Sequence, residues 1–387
     1  MKKQFKILIA IGAIFLLVII IYLVSFLASP EPSWMNEDIY KELHLENPDE
    51  HPDRSPDGSE SSWASISEDV EKGSGWKQIV QNSKFQLGTP HTKKIDGKKV
   101  KRLSFGTFPV MNGSTVCVTL GMEFVWQHLN VDEDMARDMI EFTRTDDAYD
   151  NLISKYPNRN LYYKEATAFS PEEYFDDDPT NLILVTEPSV QEKAQAADAN
   201  VKLDLTPICM DAFVFITHKD NPVDSLTVEQ VQGIYSGKIK NWNEVGGNDS
   251  KIVAFQRNEG SGSQTTMVEQ VMKGIEMEAP LSHAIVTGMG PLIEAVSEYR
   301  NDQASIGYSF KYYIDNQYKN EDVKFIKIDG VSPDFSNIQA KSYPFTTYYY
   351  AVIREKDKAK SVGDFVKWII SEEGQACVEQ AGYCPLP

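Results

Sequence analysis

Short apolar runs alternate with segments of helical period over most of the chain, beginning near Lys93. Runs such as NLILVTEP, KIVAFQR, ASIGYSF and VKFIKID are rich in β-branched and aromatic residues, and they predict buried strands. The segments TLGMEFVWQHL and DEDMARDMIEF place apolar residues three and four positions apart, which predicts amphipathic helices. Strands that alternate with helices indicate an α/β architecture with mostly parallel sheets.

A longer apolar run, Ile7–Ala28, lies near the N-terminus and contains no charged residue. It is long enough to span a bilayer as a helix, and longer than the apolar core of a typical cleaved signal peptide. Three lysines precede it, so we expect residues 1–6 to remain in the cytoplasm. Residues 7–28 would then be a transmembrane signal anchor, with the globular part extracytoplasmic and the protein held in the cell membrane by a single pass. Cleavage after Ala28 is the alternative.

The segment that follows lacks apolar periodicity. Residues 29–75 are rich in Pro, Ser, Asp and Glu, which cannot build a core, and we expect a stalk or linker over residues 29–92. The formal net charge of −19 at pH 7 argues against nucleic acid as a partner, because phosphate backbones require a basic surface.

Neither histidine nor cysteine spacing predicts a metal site, and no cofactor is expected. Four cysteines are too few for a disulfide framework. A Cys377–Cys384 disulfide and buried free thiols are equally compatible with the sequence.

One loop combines an arginine with glycines and serines. In Arg257–Ser263, RNEGSGS, a predicted strand ends just before the loop and a predicted helix begins just after it. The unpaired amides of a first helical turn and the helix dipole favour an anion, and Ser261, Gly262, Ser263 and the guanidinium of Arg257 would add donors. The alternative is an ordinary surface turn that binds no ligand and precedes a serine-capped helix. A nucleotide P-loop and a hydrolase nucleophile elbow both fail on sequence, since the required Gly-Lys-Ser/Thr and Gly-x-Ser-x-Gly patterns are missing.

Two further loops place hydroxyl residues at predicted helix starts. Gly113, Ser114 and Thr115 lie between a strand-like arm and a helical run, and Thr145 precedes a helix beginning near Asp146. Each alone is more typical of an ordinary helix cap. Three such loops in one chain suggest that several helix N-termini converge on one anion.

These motifs, taken in order, resemble the phosphate-binding proteins of high-affinity phosphate ABC transporters. The resemblance rests on NGST, LVTEPS, SLTVEQVQGIYSGKIKNWNEVGG, RNEGSGS and SEEGQACVEQAGYCPLP, and it extends from about Arg102 to the C-terminus. It implies a two-lobed α/β fold of the periplasmic-binding-protein type II class, each lobe a mixed sheet flanked by helices. ICMDAFVFITHK and YPFTTYYYAVIRE would be the two crossover strands, which places Cys209 and Tyr343 near the hinge. Residues 93–209 and 350–387 would form lobe 1, and residues 210–349 lobe 2 with the crossovers.

The resemblance also implies a function and a set of ligands. The expected function is a monomeric, non-enzymatic solute-binding protein that captures inorganic phosphate for an ABC permease. Glu187 would be the carboxylate that accepts a proton from the bound anion, at a position where relatives carry Asp. The other expected ligands are Gly113, Ser114, Thr115, Thr145, Arg257, Ser261, Gly262 and Ser263. The alternatives are a phosphate sensor of the same fold, a binder of another tetrahedral oxyanion, and a hydrolase of phosphate esters, for which no base or metal cluster is seen.

Overall fold

A computed structural model describes residues 103–129, 131–140, 142–154, 180–280, 284–298 and 305–387, all of which belong to one compact unit. The predicted anchor at residues 7–28 and the predicted stalk at residues 29–92 lie outside these ranges. Within the described part of the chain, no helix combines the length and the apolar character that crossing a bilayer requires.

The strands and helices follow the alternation that the sequence predicts. The strands are β1 (Met111–Gly113), β2 (Leu182–Val185), β3 (Leu203–His218), β4 (Ser225–Leu226), β5 (Val253–Ala254), β6 (Gln256–Arg257), β7 (Ile285–Val286), β8 (Ser305–Phe310), β9 (Val323–Ile328) and β10 (Thr346–Arg354). The α-helices are α1 (Val118–Leu129), α2 (Glu133–Asp138), α3 (Thr145–Ile153), α4 (Val190–Asp198), α5 (Val228–Tyr235), α6 (Gly262–Thr266), α7 (Met289–Glu298), α8 (Phe335–Gln339), α9 (Ser361–Ile369) and α10 (Glu372–Gln380). Helix α6 continues directly into a π-helical segment, Met267–Met272.

Two long strands connect the two halves of the fold. The first half of β3 pairs with β10, and from Phe213 onwards β3 pairs with β8 and β9 instead. Lobe 1 therefore contains β1, β2, β10 and the start of β3, while β4, β5, β8, β9 and the end of β3 form the main sheet of lobe 2. The fold is the two-lobed α/β arrangement, and β3 and β10 are its two crossover strands.

The sheet is mixed rather than mostly parallel. β1 with β2, β4 with β9 and β5 with β8 are parallel, as strands linked through helices should be. The pairings of β3 with β10, β8 and β9 are antiparallel, and so is that of β10 with β2. The expectation of mostly parallel sheets is wrong because the crossover strands belong to both lobes and run in opposite directions through the hinge.

Helices cover both faces of β2. Leu182 and Leu184 belong to the main core cluster, whereas Ile183 and Val185 pack in a separate cluster with residues of α3 and α4. Successive side chains of a strand point to opposite faces, so a continuously apolar strand is required between two helical layers.

All four cysteines are buried and none is in a disulfide. Burial raises the pKa of Cys384 to about 11 and that of Cys377 well above its usual range, which keeps both thiols protonated. Of the two possibilities left open by the sequence, the structure shows the free thiols.

Candidate functional site

The Gly113–Thr115 loop is held at the carboxyl end of β1. The Ser114 amide donates to the carbonyl of Leu184 at 2.9 Å, which extends the parallel β1–β2 pairing by one residue. A short helical turn then begins at Thr115 and leads into α1. Ser114 and Thr115 are both buried, with 6% and 7% of their surface exposed. The loop therefore presents a helix start at the edge of the sheet where the parallel strands end.

Asn112 ties this loop to the segment that precedes α3. Its side-chain Oδ1 accepts from the Gly113 amide at 2.7 Å, from the Thr143 amide at 3.0 Å and from the Thr143 hydroxyl at 3.2 Å. A neutral amide oxygen satisfies these donors without placing a negative charge beside the helix starts. Asn112 thus acts as a scaffold that sets the position of Thr145 relative to Ser114.

The loop between β6 and α6 lies against the first residues of α3. A Cβ added to Gly262 would stand 2.7 Å from the hydroxyl oxygen of Thr145 and 2.6 Å from that of Thr186. Gly260 adopts a φ of +79°, and a Cβ there would meet Asp146 Oδ2 at 3.0 Å. Only glycine allows so close an approach, so the two lobes meet at this point with their backbone and hydroxyl groups in contact.

Arg257 is fixed behind this loop and is almost completely buried, with 7% of its surface exposed. Its Nε donates to the carbonyl of Val286 at 2.8 Å and its Nη2 to the carbonyl of Thr287 at 2.9 Å. The short parallel pairing of β6 with β7 places these carbonyls beside the guanidinium. Its Nη1 donates to Ser263 Oγ at 3.3 Å, on the side of the loop.

The charge of Arg257 has no close counter-ion in the described part of the chain. Among those residues, no carboxylate lies within salt-bridge distance of its guanidinium, and Asp146 acts on it only from farther away. Burial lowers the pKa of Arg257 to about 10, so the group remains ionised near neutral pH at a cost in solvation. A buried, ionised and unpaired cation is expected where an anion completes the site.

The two serines of the loop have different partners. Ser261 is the N-cap of α6, since its Oγ accepts from the Gln264 amide at 3.2 Å. Ser263 is 2% exposed, and its Oγ accepts from Arg257, which leaves its own proton available to a ligand. The structure thus places Thr145, at the start of α3, against Gly262, and it places Ser263 beside Arg257. The Gly113–Thr115 loop is linked to the segment before α3 through Asn112.

Glu187 is not part of this cluster. Its side chain is exposed, and its Oε1 accepts from the Tyr350 hydroxyl at 2.9 Å. It does not cap α4 either, because Ser189 and Glu192 form the capping box of that helix. Glu187 lies two residues beyond the end of β2, beside Tyr350 of β10, to which its carboxylate is bonded.

Two residues in the cluster were not predicted as ligands. Thr186 is 2% exposed and Asp146 is half-buried, and both lie against the Gly260–Gly262 segment. Burial raises the pKa of the Asp146 carboxyl, an effect that Arg144 partly opposes. No pattern in the sequence marks Thr186, because it lies in a bend one residue beyond β2 and its burial depends on the loop that packs against it.

Residues 147–373, more than half of the chain, match the family described as the PBP superfamily domain. Among curated proteins, the phosphate-binding protein PstS of Staphylococcus aureus (strain USA300) is 28% identical over 204 residues, which cover 51% of this chain and 60% of that protein. The match to PstS of Staphylococcus saprophyticus is also 28% identical, over 62% of its length. The chain thus spans less than two thirds of these relatives.

Solved structures show the same fold. A putative phosphate ABC transporter substrate-binding protein with bound phosphate from Clostridium perfringens superposes with a TM-score of 0.51 and 25% identity, over 72% of this chain and 99% of that one. A human phosphate binding apolipoprotein gives a TM-score of 0.50 at 14% identity, over 72% of this chain and 91% of that one. The second similarity concerns the fold alone.

Proposed function

The chain belongs to the PBP superfamily, and we propose that its function is to capture inorganic phosphate outside the cytoplasm and to deliver it to an ABC permease. One observation carries the proposal. The ionised guanidinium of Arg257 is buried without a close carboxylate among the described residues, beside hydroxyls and helix starts contributed by both lobes. Such a set of donors fits a tetrahedral oxyanion, which offers acceptor oxygens in every direction.

The proposed ligands come from both lobes, so binding holds the lobes together. Hydroxyl, amide and guanidinium groups serve as the donors, and the residues that contribute them are Gly113, Ser114, Thr115, Thr145, Arg257, Ser261, Gly262 and Ser263. They act over a few ångströms in a site shielded from water, where the overall charge of −19 is screened beyond about 8 Å. A binding role without covalent chemistry agrees with this donor set, which contains no activated nucleophile.

The similar proteins also support phosphate as the ligand, because the names of the two Staphylococcus proteins and of the Clostridium perfringens protein all refer to phosphate. We further propose that the apolar segment at residues 7–28 anchors the protein in the cell membrane and that the acidic segment at residues 29–92 is a stalk. These two segments would place the binding lobes near a permease.

One observation favours a second candidate, a binder of another tetrahedral oxyanion. Phosphate near neutral pH retains a proton, and a carboxylate in the cleft selects it over sulfate by accepting that proton. Glu187, the expected acceptor, is exposed and bonded to Tyr350. Asp146 is the carboxylate beside the loop that could replace it, since its Oδ1 is buried and accepts no hydrogen bond among the described residues, while Arg144 Nε lies 3.7 Å away.

Isothermal titration calorimetry of the full-length protein in detergent tests both candidates. We expect saturable binding of phosphate and much weaker binding of sulfate and molybdate. Tighter binding of sulfate or molybdate would favour the second candidate. The matched control is Arg257→Ala, which should bind phosphate much more weakly than the parent, and a parent protein that binds none of the three anions would contradict the proposed function.

A further inference from the structure

The two residues that follow β2 face opposite directions. Thr186 is 2% exposed and its hydroxyl lies against Gly262, whereas the exposed Glu187 is bonded to Tyr350. The resemblance to phosphate-binding proteins implies that Glu187 is the ligand. The geometry instead favours its neighbour Thr186.

The hydroxyl of Thr186 has no hydrogen-bond partner among the described residues, although its oxygen is fully buried. The backbone around it is well fixed, since the Tyr149 hydroxyl donates to the Thr186 carbonyl at 2.8 Å. A buried hydroxyl without a partner costs about 1–3 kcal/mol, so such groups are rare in native proteins unless a ligand or water completes them.

This hydroxyl also has a defined neighbourhood. Its oxygen would lie 2.6 Å from a Cβ on Gly262, next to the Thr145 hydroxyl at 2.7 Å from the same point. The residue after Gly262 is Ser263, whose Oγ contacts the guanidinium of Arg257. Thr186 is therefore placed where the hydroxyl residues of lobe 1 meet the arginine loop of lobe 2.

We propose that the Thr186 hydroxyl is a ligand of the bound oxyanion and that Glu187 is not. The inference rests on the proposed function, because it assigns a further residue to the same site. A threonine hydroxyl donates a hydrogen bond to any tetrahedral oxyanion, protonated or not. The contact therefore contributes affinity and does not by itself distinguish phosphate from sulfate.

The test compares Thr186→Val with Glu187→Gln in the full-length protein, titrated with inorganic phosphate. Valine keeps the shape of threonine and removes only the hydroxyl. A hydrogen bond to a charged group is worth about 1.5–3 kcal/mol, so we expect phosphate affinity to fall about ten- to hundredfold. Thr186→Ser should restore most of it, and Glu187→Gln should bind phosphate as the parent does.

Thermal unfolding measured without phosphate distinguishes a ligand role of Thr186 from a role in stabilising the fold. Because the hydroxyl has no partner among the described residues, Thr186→Val should unfold at the same temperature as the parent or at a higher one. If this variant does not fold, Thr186→Ala replaces it in the same titration.

Two results would overturn the inference. One is parent-like phosphate affinity in a folded Thr186 variant that lacks the hydroxyl. The other is loss of affinity in Glu187→Gln. A parent protein that binds phosphate, sulfate and molybdate equally poorly would instead overturn the proposed function, and the inference with it.

Discussion

Asp211 is a buried carboxyl at the hinge, and its ionisation should make the protein less stable as pH rises. It lies on β3 beside the point where that strand changes partners, and it is 4% exposed. Its Oδ2 accepts from the Tyr349 hydroxyl of the other crossover strand at 2.8 Å. Its Oδ1 accepts from the Ala212 amide at 2.7 Å and from the Tyr312 amide at 3.2 Å. Burial raises the pKa of Asp211 from 3.8 to about 7, although these bonds and Lys311 oppose the shift.

The sign of the effect follows from proton binding. Between about pH 4 and pH 7 the folded protein keeps the Asp211 proton and the unfolded chain has lost it, so stability falls as pH rises through this window. A shift of about three units corresponds to about 4 kcal/mol. Asp211→Asn removes this ionisation, because the amide is neutral at every pH.

Urea denaturation at several pH values between 4 and 8, followed by tryptophan fluorescence, measures the effect. The advantage of Asp211→Asn over the parent in free energy of unfolding should grow by about 4 kcal/mol from pH 4 to pH 8. Any constant offset from the altered hydrogen bonds cancels in that difference.

Asp357 provides a control of opposite sign. Burial tends to raise its pKa, but hydrogen bonds from Lys360 and Arg354 outweigh it and hold the pKa below the usual range. The ionised Asp357 carboxylate contributes to the free energy of unfolding at neutral pH, and this contribution is lost as pH falls. Asp357→Asn should therefore be most destabilising near pH 7.

For Asp211, an advantage of Asp211→Asn over the parent that is the same at pH 4 and pH 8 would refute the reasoning.

Three further predictions concern the site and the anchor. Arg257→Ala should weaken phosphate binding by about 2–5 kcal/mol in calorimetry, which is more than the loss for Ser261→Ala, and equal affinity of Arg257→Ala and parent would remove the loop from the site. Gly262→Ala should lower phosphate affinity, because the added Cβ would stand 2.6 Å from the Thr186 hydroxyl oxygen and 2.7 Å from that of Thr145 and would push the loop away from them; unchanged affinity would contradict this geometry. Protease added to intact cells should remove the globular part from a membrane-bound fragment, whereas a soluble product starting near residue 29 would indicate a cleaved signal.

The sequence by itself determined the features that depend on neighbouring residues. The alternation of strands and helices, the arginine before a glycine-serine loop and the presence of a helix after that loop are all local, because turns, caps and amphipathic periods involve residues a few positions apart. The helix begins at Gly262, inside the loop and earlier than predicted. The resemblance to phosphate-binding proteins added the two lobes and the crossover strands. The loops expected to form the site are therefore recognisable in the amino-acid order alone.

Only the tertiary structure decided which neighbouring side chain enters the cleft and which charges lack a partner. Thr186 and Glu187 differ by one position, and their environments depend on residues distant in the chain, Gly262 for Thr186 and Tyr350 for Glu187. The environment of Arg257 and the burial of Asp211 depend on groups far away in the chain, such as Val286 for the first and Tyr349 for the second. Burial and charge pairing are sums over spatial neighbours, and the order of residues along the chain does not specify them.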